Sequence, residues 1–297
     1  MTAEAIAKAL GGRKAGGGWT SRCPAHDDRT PSLSIRDAAN HGLLVHCHAG
    51  CAQHDVIAAL RARGLWTGKG ARLQSHLTRG TIVERKSDRD DAERSSAALA
   101  IWHFAKPASG TIVQTYLDSR GIRLPAPPTL RFHPQLRHPS GGVWPAMVAL
   151  VTWGSDGTPR AIHRTFLAKE GDAKAPVDSQ KMMLGPCRGG AVRLADLGNV
   201  LMVGEGIETC LAAMLASGHP TWAALSTFGL RSLDLPNDVR DVIVLADGDE
   251  AGEAAARDCA SRWKREGKRV RIARPPHGFD FNDLLLGRAS RIERGAL

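Results

Sequence analysis

Two sets of side chains in this 297-residue sequence have the types and spacing to do chemistry. The first is Cys23-Pro24-Ala25-His26, followed after twenty residues by Cys47-His48-Ala49-Gly50-Cys51. Each end supplies a short-spaced pair, so two knuckle turns can close a tetrahedral Cys3His site for a structural zinc ion. Residues 23–54 hold three of the six cysteines and five of the twelve histidines. An odd number of clustered cysteines beside histidines favours metal over disulfides. Three residues separate Cys47 from Cys51, which leaves His46, His48 and His54 as alternatives for one ligand position. Cys187, Cys210 and Cys259 are scattered and read as small buried apolar residues.

The second set is acidic. Gly204-Glu205-Gly206, Asp247-Gly248-Asp249-Glu250 and Asp280-Phe281-Asn282-Asp283 each follow a short apolar run of strand type. Carboxylates crowded together raise one another's pKa unless a cation sits among them. Hard oxygen donors of this kind select magnesium or manganese, which keep waters and bind substrate phosphates. Taken singly, an Asp-x-Asp pair after a strand is common, and Glu205 would also serve as a helix N-terminal acid.

The elements that must position these groups can be read from periodicity. Residues 32–35 and 43–46 form two strands of a hairpin with Asn40-His41-Gly42 in its turn, and 55–63 an amphipathic helix. A metal-bearing domain this small draws much of its folding energy from the ion. Residues 67–94 are polar, with seven basic residues against five acids and weak apolar periodicity, so a flexible tether is expected. Helices are expected near 97–102 and 113–117, then strands at 144–151 and 159–167 joined by a turn at 153–157. From residue 200 strands alternate with helices: strands at 200–203, 221–225, 242–246 and 270–272, helices at 207–217 and 251–265. That alternation means a parallel sheet with helices on both faces and sites at the carboxyl ends of its strands. The fold class is therefore α/β (α+β overall). Domains are expected at 1–66 (zinc-ribbon-like), 67–94 (linker), 95–195 (mixed and basic) and 196–297 (parallel sheet).

Charge agrees with this layout. The formal net charge is +10, from 40 Lys and Arg against 30 Asp and Glu. Residues 119–169 and 254–275 are strongly basic, whereas 201–253 carry nine acids against Arg231 and Arg240. Such a balance suits a polyanion held beside a cation site. The longest nearly uncharged apolar run, 143–153, is too short for a membrane span, and the N-terminus has no basic region followed by an apolar core. A cytoplasmic location without membrane association is expected. Gly64-Leu65-Trp66-Thr67-Gly68-Lys69 has the wrong spacing for a nucleotide-binding phosphate loop.

The run Cys23-Pro24-x-His26-x-Asp28-x-Thr30-Pro31-Ser32-Leu33-Ser34-Ile35, followed by Val45-His46-Cys47 and Cys51, resembles the CHC2 zinc-binding domain of DnaG-type and phage primases. In that family the second cysteine pair is normally two residues apart. Tyr116-Leu117-x-x-Arg120-Gly121-Ile122, Leu130 to Pro134, and a hairpin carrying His163 and Arg164 ahead of Lys181 resemble the start of the primase RNA-polymerase domain. The strand-end acids match the Toprim pattern of primases, topoisomerases and related nucleases. The resemblance implies Glu205, Asp247 and Asp249 as catalytic residues that hold Mg2+ or Mn2+ together with Asp280. It implies Arg164 and Lys181 as contacts to template or nucleotide. Many primases carry an Asp four residues after the Glu; here that position is Thr209, beside Glu208, whose role stays open.

The implied function is DNA primase: synthesis of short primers on single-stranded DNA from nucleoside triphosphates by two-metal nucleotidyl transfer. A separate replicative helicase and a phage or mobile-element setting belong to the same implication. The alternatives are a Toprim metal-dependent nuclease and a non-catalytic zinc/Toprim DNA-binding recombination mediator.

Overall fold

The structure is a computed structural model. It describes residues 2–287 apart from 16, 27, 29–30, 38–42, 48–50, 52, 67–78 and 277. The chain folds as two compact units, residues 1–76 and 77–297.

The first unit begins with α1 (Ala3–Ala9), whose N-cap Thr2 accepts the Ala5 amide through its hydroxyl. β1 (Arg13–Ala15), β2 (Gly18–Ser21), β3 (Leu33–Asp37) and β4 (Leu43–Cys47) follow as a four-stranded antiparallel sheet in that order. α2 (Gln53–Ala62) closes the unit. Leu33 and Ile35 of β3 and Val45 and Cys47 of β4 point inward, alternating with more exposed neighbours as the pleat requires. They meet Ile6, Val56 and Leu60 in a core of ten buried residues among those described. The expected hairpin and helix are both present; its turn at 40–42 lies outside the described residues. Beyond these expected elements, α1 with Ala3, Ile6 and Ala7 and β2 with Trp19 add to the core, whereas β1 is exposed throughout.

The second unit opens with α3 (Arg79–Phe104), so the later part of the expected 67–94 tether is helical. The earlier part, 67–78, lies outside the described residues. The end of α3 is fixed by Ala98 and Trp102, buried against β-strand side chains, and by the Ser95 hydroxyl, which donates to the Arg160 carbonyl at 2.7 Å. From residue 89 on, α3 buries Ala98 and Trp102 in its last turns and leaves its other side chains exposed or half-buried.

β5 (Lys106–Pro107), α4 (Ile112–Ser119), β6 (Leu130–Arg137), β7 (Val143–Trp153), β8 (Pro159–Phe166), β9 (Lys181–Leu184) and β10 (Gly190–Arg193) come next. The remainder is β11 (Val200–Gly204), α5 (Ile207–Ser217), β12 (Thr221–Ala223), α6 (Thr227–Ser232), β13 (Asp241–Leu245), α7 (Glu250–Arg265), β14 (Arg269–Ala273) and α8 (Phe281–Leu285). β14, β13, β11 and β12 are parallel, as the strand–helix alternation predicts.

They do not form a separate sheet. β10 pairs antiparallel with both β12 and β7, which joins the parallel strands to β7, β6 and β5 in one ten-stranded sheet. β8 pairs with β7 and carries β9 as a branch. The expected 195/196 division thus falls inside a continuous hydrogen-bonded sheet.

Both faces of this sheet are covered. Leu201 and Val203 of β11 and Val242 and Val244 of β13 pack with Trp222 and Trp263 on one face. Met202, Ile243 and Leu245 turn to the other, against Tyr116, Leu117 and Leu211. Burial on both faces explains why these strands read as unbroken apolar runs.

Candidate metal centres

Cys23 follows β2, Cys47 ends β4, and Cys51 precedes α2, so the sheet brings the two cysteine pairs together. The ligand atoms of Cys23, His26, Cys47 and Cys51 all lie within 4.8 Å of one another. His26 Nδ1 is 3.2 Å from the Cys51 sulfur and 4.0 Å from that of Cys47. Burial and the neighbouring Cys47 and Cys51 push the Cys23 thiol up to about 12. Thiols held this way keep their protons unless a cation replaces them. The donor set fits zinc, and these four side chains could hold it.

Of the alternative ligands, His46 sits on the exposed face of β4, opposite Val45 and Cys47. There it lines a groove of about 580 Å³ with Trp19, Arg36 and Gln53. His48 and the side chain of His54 lie outside the described residues. Trp66 packs on the core instead of facing that groove.

One residue of this centre was quoted in the motif without a role. Asp28 Oδ2 accepts the Cys23 amide at 2.5 Å, the Ser32 amide at 3.1 Å and the Ser32 hydroxyl at 2.6 Å. Burial opposes ionisation of Asp28, but these hydrogen bonds outweigh it and hold the carboxyl below the usual range. Its Oδ1 is 3.7 Å from His26 Nε2, the ring nitrogen facing away from the thiols.

The second centre lies at the carboxyl ends of β11 and β13. These strands are parallel neighbours, with Val203 beside Val244, so Glu205 and Asp247 emerge on one rim. Asp249 caps α7 by accepting the Gly252 amide at 2.7 Å. Asp280 caps α8 in a reciprocal capping box with Asp283. Gly248 is obligatory here, since a Cβ would lie 2.2 Å from the Phe279 carbonyl oxygen. The Gly278 amide also donates to the Gly248 carbonyl at 3.0 Å, drawing the Asp280 loop onto the Asp247 loop.

Glu205 Oε1 and Asp247 Oδ1 are buried without a hydrogen-bond partner among the described residues. Burial first, then the charges of Asp247 and Asp249, raise Glu205 to about 7, with Arg231 opposing. Burial, Asp280 and Asp249 raise Asp247 to about 6, with Lys181 opposing. Unpartnered buried carboxylate oxygens that disfavour their own charge fit a hard divalent cation. Among the described residues no other group of three or more His, Cys, Asp or Glu is gathered as closely as the Cys3His set.

Glu208 belongs elsewhere. Its buried carboxylate accepts the Tyr116 hydroxyl at 2.7 Å and the Lys181 ammonium at 2.9 Å, with Lys174 at 3.8 Å. Lys181 thus faces this cluster, while its side chain stays 37% exposed. Arg164 is only 8% exposed and donates to the Met183 carbonyl at 3.1 Å. Along β8 it shares the face of Ile162 and Phe166, which pack with α3, while His163 feels the charges of Lys181 and Glu208. The structure therefore bonds Lys181 to Glu208, from where its charge reaches Asp247, and keeps Arg164 in the interior.

Against known proteins, residues 200–290 match the Toprim domain, and residues 92–194 match a domain of unknown function, DUF7146. The chain thus combines a Toprim domain with an N-terminal Cys/His cluster that fits a CHC2-like domain. No curated protein matches the sequence significantly. Among solved structures, a DNA primase domain from Pseudomonas aeruginosa is 17% identical with a TM-score of 0.44, covering 67% of this chain and 77% of that one. The Aquifex aeolicus primase (zinc-binding and RNA polymerase domains) is 15% identical with a TM-score of 0.43, covering 98% and 81%. The primase fragment of the bacteriophage T7 primase-helicase protein is 14% identical with a TM-score of 0.37, covering 93% and 98%.

Proposed function

We propose that this chain is a DNA primase that joins nucleotides into short primers on single-stranded DNA by metal-dependent nucleotidyl transfer. The observation that carries the reading is the pair of unpartnered buried oxygens on Glu205 and Asp247 at the strand ends of a Toprim domain. In this reading Glu205, Asp247, Asp249 and Asp280 hold Mg2+ or Mn2+, and Cys23, His26, Cys47 and Cys51 hold structural zinc. Bound divalent ions supply the charge that makes a primer 3′-hydroxyl a better nucleophile and neutralises the leaving pyrophosphate.

The protein's own residues prepare for this. Asp249 is oriented by its bond to the Gly252 amide, and Glu205 and Asp247 give up protons near neutral pH as the cation takes their place. Lys181 offers an ammonium to nucleotide or template phosphate, and the groove beside Trp19 offers an aromatic face and a guanidinium to a single strand. Arg164 also supports β9 by donating to the Met183 carbonyl. A cytoplasmic setting and a separate helicase come to this reading from the family resemblance alone.

Single-stranded templates, labelled ribonucleotides and deoxyribonucleotides, and Mg2+ or Mn2+ test it. Template-dependent oligonucleotides that vanish in Asp247→Asn are expected. Metal-dependent shortening of the template would instead assign a nuclease, and DNA binding without any metal-dependent chemistry would assign a mediator.

A further inference from the structure

Glu208 lies on the first turn of α5, three residues beyond Glu205, and its side chain is 6% exposed. A carboxylate at this depth needs partners on both oxygens. Oε1 takes the Tyr116 hydroxyl and faces Lys174, and Oε2 takes Lys181. Two cations against one anion leave the group with a formal surplus of one positive charge. The surplus sits at an edge: the Lys174 and Lys181 side chains are 27% and 37% exposed, and the charge of Lys181 also reaches Asp247. Lys181 is therefore bonded to a fully partnered carboxylate that lies three residues beyond Glu205, whose Oε1 has no partner among the described residues.

A lysine has a flexible four-carbon stem and a compact charge, so an untethered Lys181 would settle on the nearest uncompensated carboxylate. Within its electrostatic reach lies Asp247 on the metal rim, whose Oδ1 has no partner among the described residues. We propose that Glu208 is a positioning residue: it tethers Lys181, with Lys174 behind it, at the edge of the carboxylate rim. The ammonium is thereby kept facing incoming phosphate and prevented from competing with the divalent cation for Asp247. The proposal rests on the reading of Glu205, Asp247 and Asp249 as metal-binding. Tyr116, the only tyrosine in the chain, is the third side of the tether.

The test is Mn2+ binding to the full chain without nucleotide, followed by the electron spin resonance of free ion. The variants are Glu208→Gln, Lys181→Met and the double variant, with Asp247→Asn as the control for the rim. Glu208→Gln should weaken Mn2+ about tenfold, the size of loss usual when an outer partner of a metal site is removed. In the Lys181→Met background the same substitution should change Mn2+ affinity less than about twofold, because the lysine whose charge reaches Asp247 is gone and Lys174 lies behind it. Unchanged affinity in Glu208→Gln, or an equal loss in both backgrounds, overturns the tether.

Should Glu208→Gln fail to fold by the near-ultraviolet circular dichroism of the chain, Lys181→Gln reads the link from the other side. It should keep Mn2+ affinity within about twofold and raise the nucleotide KM about tenfold at similar kcat; weakened Mn2+ binding there overturns the proposal. A wild-type chain that binds no Mn2+, or an Asp247→Asn variant that binds it as well as wild type, defeats the metal-site reading itself.

Discussion

His26 turns its two ring nitrogens to different partners: Nδ1 lies 3.2 Å from the Cys51 sulfur, and Nε2 lies 3.7 Å from Asp28 Oδ1. A carboxylate behind a ligating imidazole fixes its tautomer and raises its basicity. Asp28 is itself anchored by the Cys23 amide and by Ser32, so it ties two of the four ligands together. Asp28→Asn should therefore weaken zinc by about 10- to 100-fold. Competition against a chromophoric chelator reads this directly, and an unchanged affinity would remove Asp28 from the centre.

Chelation should dismantle the N-terminal unit and spare the other. Among the described residues ten buried ones form its core, and three thiols and an imidazole crowd at its edge. A core so small cannot meet the conformational entropy of folding by burial alone. Limited proteolysis after treatment with a chelator should cut within residues 1–66 and leave a protected fragment from the second unit. Protection of both units after complete zinc removal would show that the metal is dispensable for folding.

Glu205 and Asp247 set a pH dependence with a definite sign. Both have folded values raised above the ordinary 4.5 and 3.8, to about 7 and about 6. The folded chain holds those protons more tightly than the unfolded one, so metal-free stability from these groups falls as pH rises from about 4 to about 7. A divalent cation competes with the same protons, so Mn2+ affinity should climb over that window and level off above about pH 7. Melting curves at pH 5.5 and 7.5 should show a larger Mn2+-induced rise at the higher pH. In Glu205→Gln the metal-free protein should lose part of its pH dependence; the same slope in that variant would contradict the assignment.

Asp280 does two jobs that two substitutions can separate. It caps α8, and its charge is the largest electrostatic contributor, after burial, to the raised Asp247. Asp280→Ala should cost about 0.5–2 kcal/mol of stability through the lost cap. Asp280→Asn should keep most of the cap and still weaken Mn2+ binding if the carboxylate is a ligand. Urea unfolding and Mn2+ titration together distinguish them, and full metal affinity in Asp280→Asn would confine Asp280 to capping.

The ligand cysteines and the rim acids were legible in the linear sequence because their chemistry is local. A Cys3His set is written in two short spacings, Glu205 and Asp247 sit at the ends of apolar runs that finish at a sheet rim, and Asp280 follows the last strand after a short loop. The parallel strands were legible for the same reason: burial on both faces leaves runs such as 242–246 without polar alternation. The helix of residues 79–104 was not, since from residue 89 on most of its side chains are exposed or half-buried and only its last turns bury apolar ones.

What only the tertiary structure decided was which charges meet. Tyr116 and Glu208 are 92 residues apart and Lys181 and Glu208 are 27 apart, yet they share one buried hydrogen-bond cluster. No spacing rule links a helix, a strand and a helix start across a sheet. Their meeting depends on β10 entering between β7 and β12, a pairing set by long-range register. The sequence by itself determined that carboxylates would line a rim and that thiols would crowd a knuckle, because turns and strand ends are local geometry. That Glu208 would be neutralised in the core and Glu205 left unpartnered, three residues away, was decided by the packing of distant chain around them.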